Sequence, residues 1–114
     1  MVRILVVEDD DDIRTGLARA LTQQGVTVAA VARGGDALGR LTEFSPDAVI
    51  LDLGLPDLDG ADVLAMIRTL GDVPVLVATA RDDESEIVRL LDAGADDYVI
   101  TPYSSAQVLA RVRA

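Results

Sequence analysis

Short runs of branched apolar residues recur along this chain, and each run is followed by a segment with helical periodicity. The runs are rich in Val and Ile and do not alternate with polar residues, which is typical of strands buried on both faces. Strict alternation of strands and helices predicts one α/β domain, a doubly wound parallel sheet with helices on both faces. The predicted strands lie at 3–7, 26–31, 47–52, 73–78 and 98–100.

Five further segments carry apolar residues at helical spacing. Gly25, Gly71 and Gly94 follow three of these segments, and glycine is common just past the end of a helix. The chain stops within the fifth helix, so we expect residues 1–114 to be one domain of a longer protein. The five apolar stripes are Ile13, Leu17, Ala20 and Leu21; Ala37, Leu38 and Leu41; Val63, Leu64 and Ile67; Ile87, Leu90 and Leu91; and Val108, Leu109 and Val112.

The composition excludes several kinds of chemistry. The formal net charge of −10 disfavours binding to nucleic acid or to an anionic membrane surface. The chain has no histidine, cysteine or lysine, so it cannot form a Ser-His-Asp triad or bind a metal through imidazole or thiolate. No apolar run approaches the ~20 residues of a membrane span, and the start lacks the pattern of a signal peptide. We therefore expect a soluble cytoplasmic protein.

Carboxylates and a hydroxyl follow the predicted strands at the points where those strands end. Glu8 and Asp9 follow the first strand, Asp52 ends the third, and Thr79 follows the fourth. In open parallel sheets, ligands bind beyond the carboxyl ends of the strands. This set of oxygen donors predicts a site for a hard divalent cation, and Mg²⁺ fits because it accepts one or two carboxylates and keeps several waters. A metal would relieve the repulsion between the crowded carboxylates.

The acidic run Glu8 to Asp12 also has a structural interpretation. Asp10, Asp11 and Asp12 precede a helical pattern, where acids cap the first turn and interact favourably with the helix dipole. Capping explains these three residues without any ligand. Asp52 differs because it follows four apolar residues in a buried strand, and carboxylates are rarely buried there without a partner.

Four motifs carry a family resemblance that covers essentially the whole chain. They are VVEDD at 6–10, ILDLGLPDLDG at 50–60, TAR at 79–81 and GADDYVITPY at 94–103. Together they resemble the receiver domains of bacterial two-component response regulators, in particular the OmpR/PhoB-like subfamily. The resemblance implies a flavodoxin-like fold with five strands in the order 2-1-3-4-5 and five helices. If the chain is part of a longer regulator, a C-terminal effector domain, often DNA-binding, would follow, and a naturally free-standing receiver is the alternative.

The resemblance assigns roles to the acidic residues. Asp52 matches the phosphoacceptor, to which a sensor histidine kinase transfers a phosphoryl group. Asp9 matches the main Mg²⁺ ligand, and Glu8 acts largely through water. The main-chain carbonyl of Gly54 completes the protein ligands of Mg²⁺ or Mn²⁺. Apart from Mg²⁺-dependent self-phosphorylation and dephosphorylation, the resemblance implies no enzyme activity.

Further positions match the residues that respond to phosphorylation. Thr79 would hydrogen-bond a phosphoryl oxygen, and small Ala80 would leave room for the phosphate. Tyr98 matches an aromatic switch residue whose ring turns inward when Thr79 moves. Pro56 and Gly60 shape the loop after the acceptor.

One position departs from the family pattern. The family has a lysine before the proline, and this chain has Thr101. Loss of that fixed cation predicts a weakened switch, which Arg81 would compensate if it reached the site. The resemblance also implies a cis bond between Thr101 and Pro102, as is common only before proline.

The subfamily resemblance predicts a weak, activation-dependent dimer through the fourth helix, fifth strand and fifth helix. The matching charge pairs are Asp97 with Arg111 and Asp92 with Arg113, around an apolar patch of Ile87, Leu91 and Ala110.

Two other functions are compatible with parts of this pattern. A degenerate receiver would act as an interaction module without phosphate, and Thr101 favours that alternative. A small phosphohydrolase with an aspartyl nucleophile usually needs a second acid two residues on and a lysine. In this chain the residue two positions after Asp52 is Gly54, not an acid, and the chain has no lysine. The receiver interpretations are therefore preferred.

Overall fold

Strands and helices alternate along the whole described chain. The computed structural model describes residues 2–55, 57–79, 84–100 and 103–113, and within them it has five strands and five helices. The strands are β1 (Arg3–Val7), β2 (Thr27–Val31), β3 (Ala48–Asp52), β4 (Val75–Thr79) and β5 (Asp97–Ile100). The helices are α1 (Asp11–Gln23), α2 (Gly34–Phe44), α3 (Gly60–Leu70), α4 (Glu84–Asp92) and α5 (Ser105–Arg113).

The five strands form one parallel sheet in the order β2-β1-β3-β4-β5, as the resemblance implied. Side chains of the central strands alternate between two apolar layers. Leu5 and Val7 of β1 lie in a layer with buried residues of α2, α3 and α4. Ile4 and Val6 point to the opposite layer, which contains buried residues of α1 and α5. The predicted doubly wound architecture is therefore confirmed.

The predicted strands agree with the observed strands to within two residues at each end, but burial differs at the sheet edges. The central strands β1, β3 and β4 are almost fully buried, whereas the edge strands β2 and β5 have partly exposed residues. The prediction that all strands are buried on both faces is thus wrong at the edges. Each edge strand has only one neighbouring strand.

Helix ends follow the expected capping chemistry. The Asp10 side chain accepts a hydrogen bond from the Ile13 N–H at 2.9 Å and so caps α1. The same acid-capped first turn explains Asp11 and Asp12. Ile13 itself is 44% exposed, so the predicted apolar stripe of α1 is buried only further along the helix.

No helix in the described ranges combines the length and the apolar character that crossing a membrane requires.

Candidate metal and phosphoacceptor site

Two adjacent central strands bring three carboxylates together. β1 and β3 run side by side with Val7 paired to Leu51, so Glu8 and Asp52 are level at the next position of each strand. Asp9 follows in the loop that leads to α1. One carboxylate oxygen from each of Glu8, Asp9 and Asp52 lies within 4.8 Å of the other two. The structure therefore assembles the three acids that the strand-end pattern selected.

Burial and mutual repulsion make this cluster electrostatically unfavourable by itself. Glu8 is only 5% exposed, and the Asp9 N–H donates to its Oε2 at 3.0 Å. The pKa of Glu8 is raised to about 9, most of all by burial, and further by a hydrogen bond with Asp52 and by the charges of Asp52 and Asp9. An all-oxygen donor set with excess negative charge fits a hard divalent cation such as Mg²⁺. Glu8, Asp9 and Asp52 are the residues that could hold it.

This raised pKa predicts a pH dependence of stability in the metal-free protein. In the unfolded chain Glu8 ionises near pH 4.5, whereas in the folded protein it keeps its proton to about pH 9. The folded state then binds more protons between these values, so the free energy of unfolding should fall as pH rises through this window. Urea titrations in a chelator at several pH values measure this slope. Glu8→Gln should flatten it, and an unchanged slope in that variant would contradict the assignment.

The loop after β3 holds the Asp52 carboxylate in place. The Gly54 N–H donates to Asp52 Oδ1 at 3.1 Å. Leu53, which lies between Asp52 and Gly54, donates its N–H to the Ala78 carbonyl at 3.2 Å. Its own carbonyl accepts a hydrogen bond from the Gly60 N–H at 3.3 Å. The main chain beside Asp52 is therefore held between β4 and the start of α3.

The predicted switch residues lie on the two strands beyond Asp52. Thr79 ends β4, is 2% exposed and has a polar partner. In the register of β3 and β4, Asp52 pairs with Ala78, so Thr79 lies one residue further along its strand than the level of Asp52. Tyr98 lies half-buried in β5, opposite Val77, and packs against the apolar layer of α2 to α4. The predictions for Pro56, Ala80, Arg81, Thr101 and the Thr101–Pro102 bond fall outside the described residues.

On the predicted dimer face, one of the two predicted charge pairs forms an ion pair within a single copy of the chain. The Arg111 Nη1 atom is 3.6 Å from Asp97 Oδ2. In the part of the chain that the structure describes, Asp92 and Arg113 do not come within 4 Å of each other. Leu91 is 41% exposed. Ala110 is also exposed and Ile87 is half-buried, so the patch is partly accessible.

Two residues near the site were not singled out in the sequence. Arg14 donates to the carbonyls of Glu8 and Asp9. Burial, and to a lesser extent the charges of Glu8 and Asp52, raise the pKa of Tyr103 to about 12. The α1 spacing brings Arg14 back over the loop before the helix, and this was a usable signal. Tyr103 follows a proline in the segment between β5 and α5, and no comparable sequence signal marks it.

Comparison with known proteins agrees with this geometry. The model of the response regulator receiver domain family matches residues 4–113. The chain belongs to this family. The receiver domain is similar to the transcriptional regulatory protein AfsQ1 of Streptomyces coelicolor, at 45% identity over all of this chain and 51% of that protein. It is also similar to the response regulator MprA of Mycolicibacterium vanbaalenii, at 48% identity over 99% of this chain and 49% of that protein.

Solved structures show the same fold. The receiver domain matches a two-component response regulator from Clostridium difficile with a TM-score of 0.94 and 26% identity, over 99% of this chain and 93% of that chain. It matches the BeF3-activated N-terminal receiver domain of Klebsiella pneumoniae RstA with a TM-score of 0.91 and 32% identity, over 97% and 95% of the two chains. The chain spans about half the length of the curated relatives it matches.

Proposed function

We propose that this receiver domain accepts a phosphoryl group on Asp52 from a sensor histidine kinase and passes the signal on through its α4-β5-α5 face. The observation that supports this most is the convergence of Glu8, Asp9 and Asp52, whose carboxylate oxygens lie within 4.8 Å of one another. Thr79, a buried hydroxyl at the end of the neighbouring strand β4, adds a donor on the side of the cluster where a phosphoryl group would need one.

The chemistry divides between nucleophile and charge stabilisation. One Asp52 oxygen attacks phosphorus, the bond from phosphorus to the donor breaks with its electron pair leaving on the donor, and an acyl phosphate forms on Asp52. Mg²⁺ or Mn²⁺, held by Glu8, Asp9, Asp52 and the Gly54 carbonyl, would offset charge on the transferring group. The Gly54 N–H orients the Asp52 carboxylate. Thr79 then donates its hydroxyl to a phosphoryl oxygen.

Intact mass spectrometry tests this proposal directly. The protein is incubated with Mg²⁺ and a small phosphodonor such as acetyl phosphate, with a chelator in a matched sample. We expect the mass of one phosphoryl group to be added only in the sample with Mg²⁺. If no phosphoryl group is added in either sample, the second candidate, a receiver that signals by binding alone, is favoured. The sequence feature behind that candidate is Thr101 at the family's lysine position.

Thr101 should weaken the switch without preventing phosphorylation. A lysine would offer an ammonium that pairs with the carboxylates and later with the phosphoryl group, whereas threonine offers one neutral hydroxyl. Thr101→Lys should therefore lower the affinity for Mg²⁺, because the ammonium competes for the same oxygens. It should also enlarge the NMR shift changes near Tyr98 on adding beryllofluoride. A parent protein that switches as fully as this variant and binds Mg²⁺ no more tightly would refute this role.

The α4-β5-α5 face is proposed to pair two activated copies. The exposed Leu91 and the Asp97–Arg111 pair support a small, charge-ringed interface. Exposed ion pairs contribute only about 0–1 kcal/mol each, so the dimer should be weak. Sedimentation with beryllofluoride should show association that Arg111→Glu abolishes. Arg40→Glu is the matched control, because Arg40 is similarly exposed and pairs with Glu43 on α2. Equal association of parent and Arg111→Glu would argue against this face.

We also propose that the domain works within a longer regulator that carries a C-terminal effector domain controlling transcription. Support comes from the curated relatives, of which this chain covers about half. Immunodetection of the cellular protein should show a product about twice the mass of this chain, and a product of this chain's own mass would count against the proposal.

A further inference from the structure

Arg14 folds back from the first turns of α1 onto the loop that carries two of the cluster's acids. Its Nη1 donates to the Glu8 carbonyl at 3.0 Å and to the Asp9 carbonyl at 3.4 Å. Its Nη2 pairs with Asp11 Oδ1 at 2.5 Å. The Arg14 side chain is about one-fifth exposed, and its bond to the Glu8 carbonyl is partly buried, whereas the pair with Asp11 is open to water. One guanidinium therefore links two main-chain carbonyls of the β1–α1 loop to the first residue of α1.

The guanidinium contacts the main chain and leaves the cluster's carboxylates free. In the described residues, Arg14 forms no ion pair with Glu8, Asp9 or Asp52. A cation placed among the carboxylates would compete with a metal, whereas a cation bonded to the carbonyls behind them fixes their backbone and blocks no ligand oxygen. The planar fork of arginine suits this task, because its donors reach several acceptors at once.

We propose that Arg14 is a positioning residue that holds the Glu8–Asp9 main chain in the geometry for binding a divalent cation. This inference rests on the proposed function, since it concerns the same cation site. Groups that orient metal ligands typically change metal affinity ten- to a hundredfold when they are removed. Arg14 forms no hydrogen bond or ion pair with Asp52, so it should affect metal affinity and not the transfer step.

The sign of the effect separates positioning from simple electrostatics. Removing a positive charge beside a cation site should by itself tighten cation binding. Positioning predicts the opposite, weaker binding after the same removal. Arg14→Lys keeps the charge but loses the fork, so it tests geometry alone. Arg19→Gln is the matched control. Arg19 is exposed on the same helix, and this substitution removes the same charge as Arg14→Gln.

The experiment measures Mg²⁺ affinity by calorimetry in the parent, Arg14→Gln, Arg14→Lys and Arg19→Gln. We expect roughly tenfold weaker binding in both Arg14 variants. The Mg²⁺ affinity of the control should stay within about twofold of the parent's, because water and salt screen the exposed charge of Arg19. Urea unfolding without metal shows whether each variant is folded. With acetyl phosphate, the Mg²⁺ concentration for half-maximal phosphoryl uptake should rise in the Arg14 variants, while the rate at saturating Mg²⁺ stays near that of the parent.

Each outcome decides between the two proposals. Arg14 variants that bind Mg²⁺ as tightly as the parent, or more tightly, overturn the role of Arg14 and leave the proposed function intact. A lower rate at saturating Mg²⁺ in a folded variant with unchanged affinity also overturns it. If Arg14→Gln does not fold, Arg14→Lys decides alone. If the Arg14 variants bind Mg²⁺ more weakly but the parent takes up no phosphoryl group, the positioning role of Arg14 is supported and the phosphoacceptor function is refuted. A parent that binds no Mg²⁺ refutes both.

Discussion

Asp52→Asn should abolish phosphoryl uptake from acetyl phosphate. The amide keeps the size of the side chain and an oxygen that can accept the Gly54 N–H, but it has no ionised oxygen to attack phosphorus. The change also removes one charge from the cluster. In the metal-free protein at neutral pH, where Glu8 keeps its proton, this relieves the repulsion between Asp52 and Asp9. The free energy of unfolding should therefore rise, by roughly 1–4 kcal/mol for two charges about 4 Å apart between bulk water and a protein surface. Loss of reactivity together with a gain in stability is the signature of this site.

Asp62→Asn is the matched control for this prediction. Asp62 lies exposed in the first turn of α3, a short distance along the chain from the acceptor. Intact mass and urea unfolding are measured for both variants and the parent. The control should take up one phosphoryl group as the parent does. If Asp52→Asn still gains that mass, another residue accepts the group, and peptide mapping of the product would identify it.

The predicted fold follows closely from the sequence because two kinds of local signal agree. Runs such as 3–7 and 47–52 are β-branched and apolar, and in the structure they become β1 and β3 of the buried sheet centre. Gly25 and Gly94 follow helices and adopt φ values of 86° and 113°, which favour glycine. The order of the strands could not be predicted in this way, because periodicity contains no information about which strands are neighbours. That order came from the family resemblance.

The site was predictable where chemistry lies at strand ends and less so where it depends on three-dimensional contacts. Glu8 and Asp52 could be selected because parallel strands end at the same edge of a sheet. The spacing of α1 indicates that Arg14 lies over the preceding loop. Its hydrogen-bond acceptors are main-chain carbonyls, which every residue has, so no sequence motif predicts these bonds. Ile13 shows a limit of periodicity, since an apolar residue at the start of a helix can project beyond the core that the later turns cover.

The close approach of α3 to the acceptor loop explains why residue 60 is glycine. A Cβ atom built on Gly60 would lie 2.5 Å from Leu53 Cα, 2.6 Å from Leu53 Cδ2 and 3.0 Å from the Asp52 carbonyl oxygen. Two of these neighbours are main-chain atoms, which cannot move away by a rotamer change. The resemblance predicted that Gly60 shapes this loop, and the structure gives a steric reason.

Gly60→Ala should therefore lower the free energy of unfolding by about 3 kcal/mol, at the upper end of the usual range for overpacking. The strain falls on Leu53 and on the carbonyl of Asp52, so the acceptor carboxylate should also shift relative to Glu8 and Asp9. We expect weaker Mg²⁺ binding in the folded fraction as a second effect. Urea unfolding gives the first quantity and calorimetry the second.

Gly39→Ala is the matched control and should have the opposite sign. Gly39 is exposed in the middle of α2, and a Cβ atom there would have no heavy atom within 4 Å. Alanine at such a position stabilises a helix by roughly 0.5–1 kcal/mol relative to glycine, because glycine loses more conformational entropy on folding. The same chemical change should thus stabilise the protein at one site and destabilise it at the other. If Gly60→Ala instead unfolds at the same urea concentration as Gly39→Ala, α3 does not press on the acceptor loop, and the steric account of Asp52 placement is wrong.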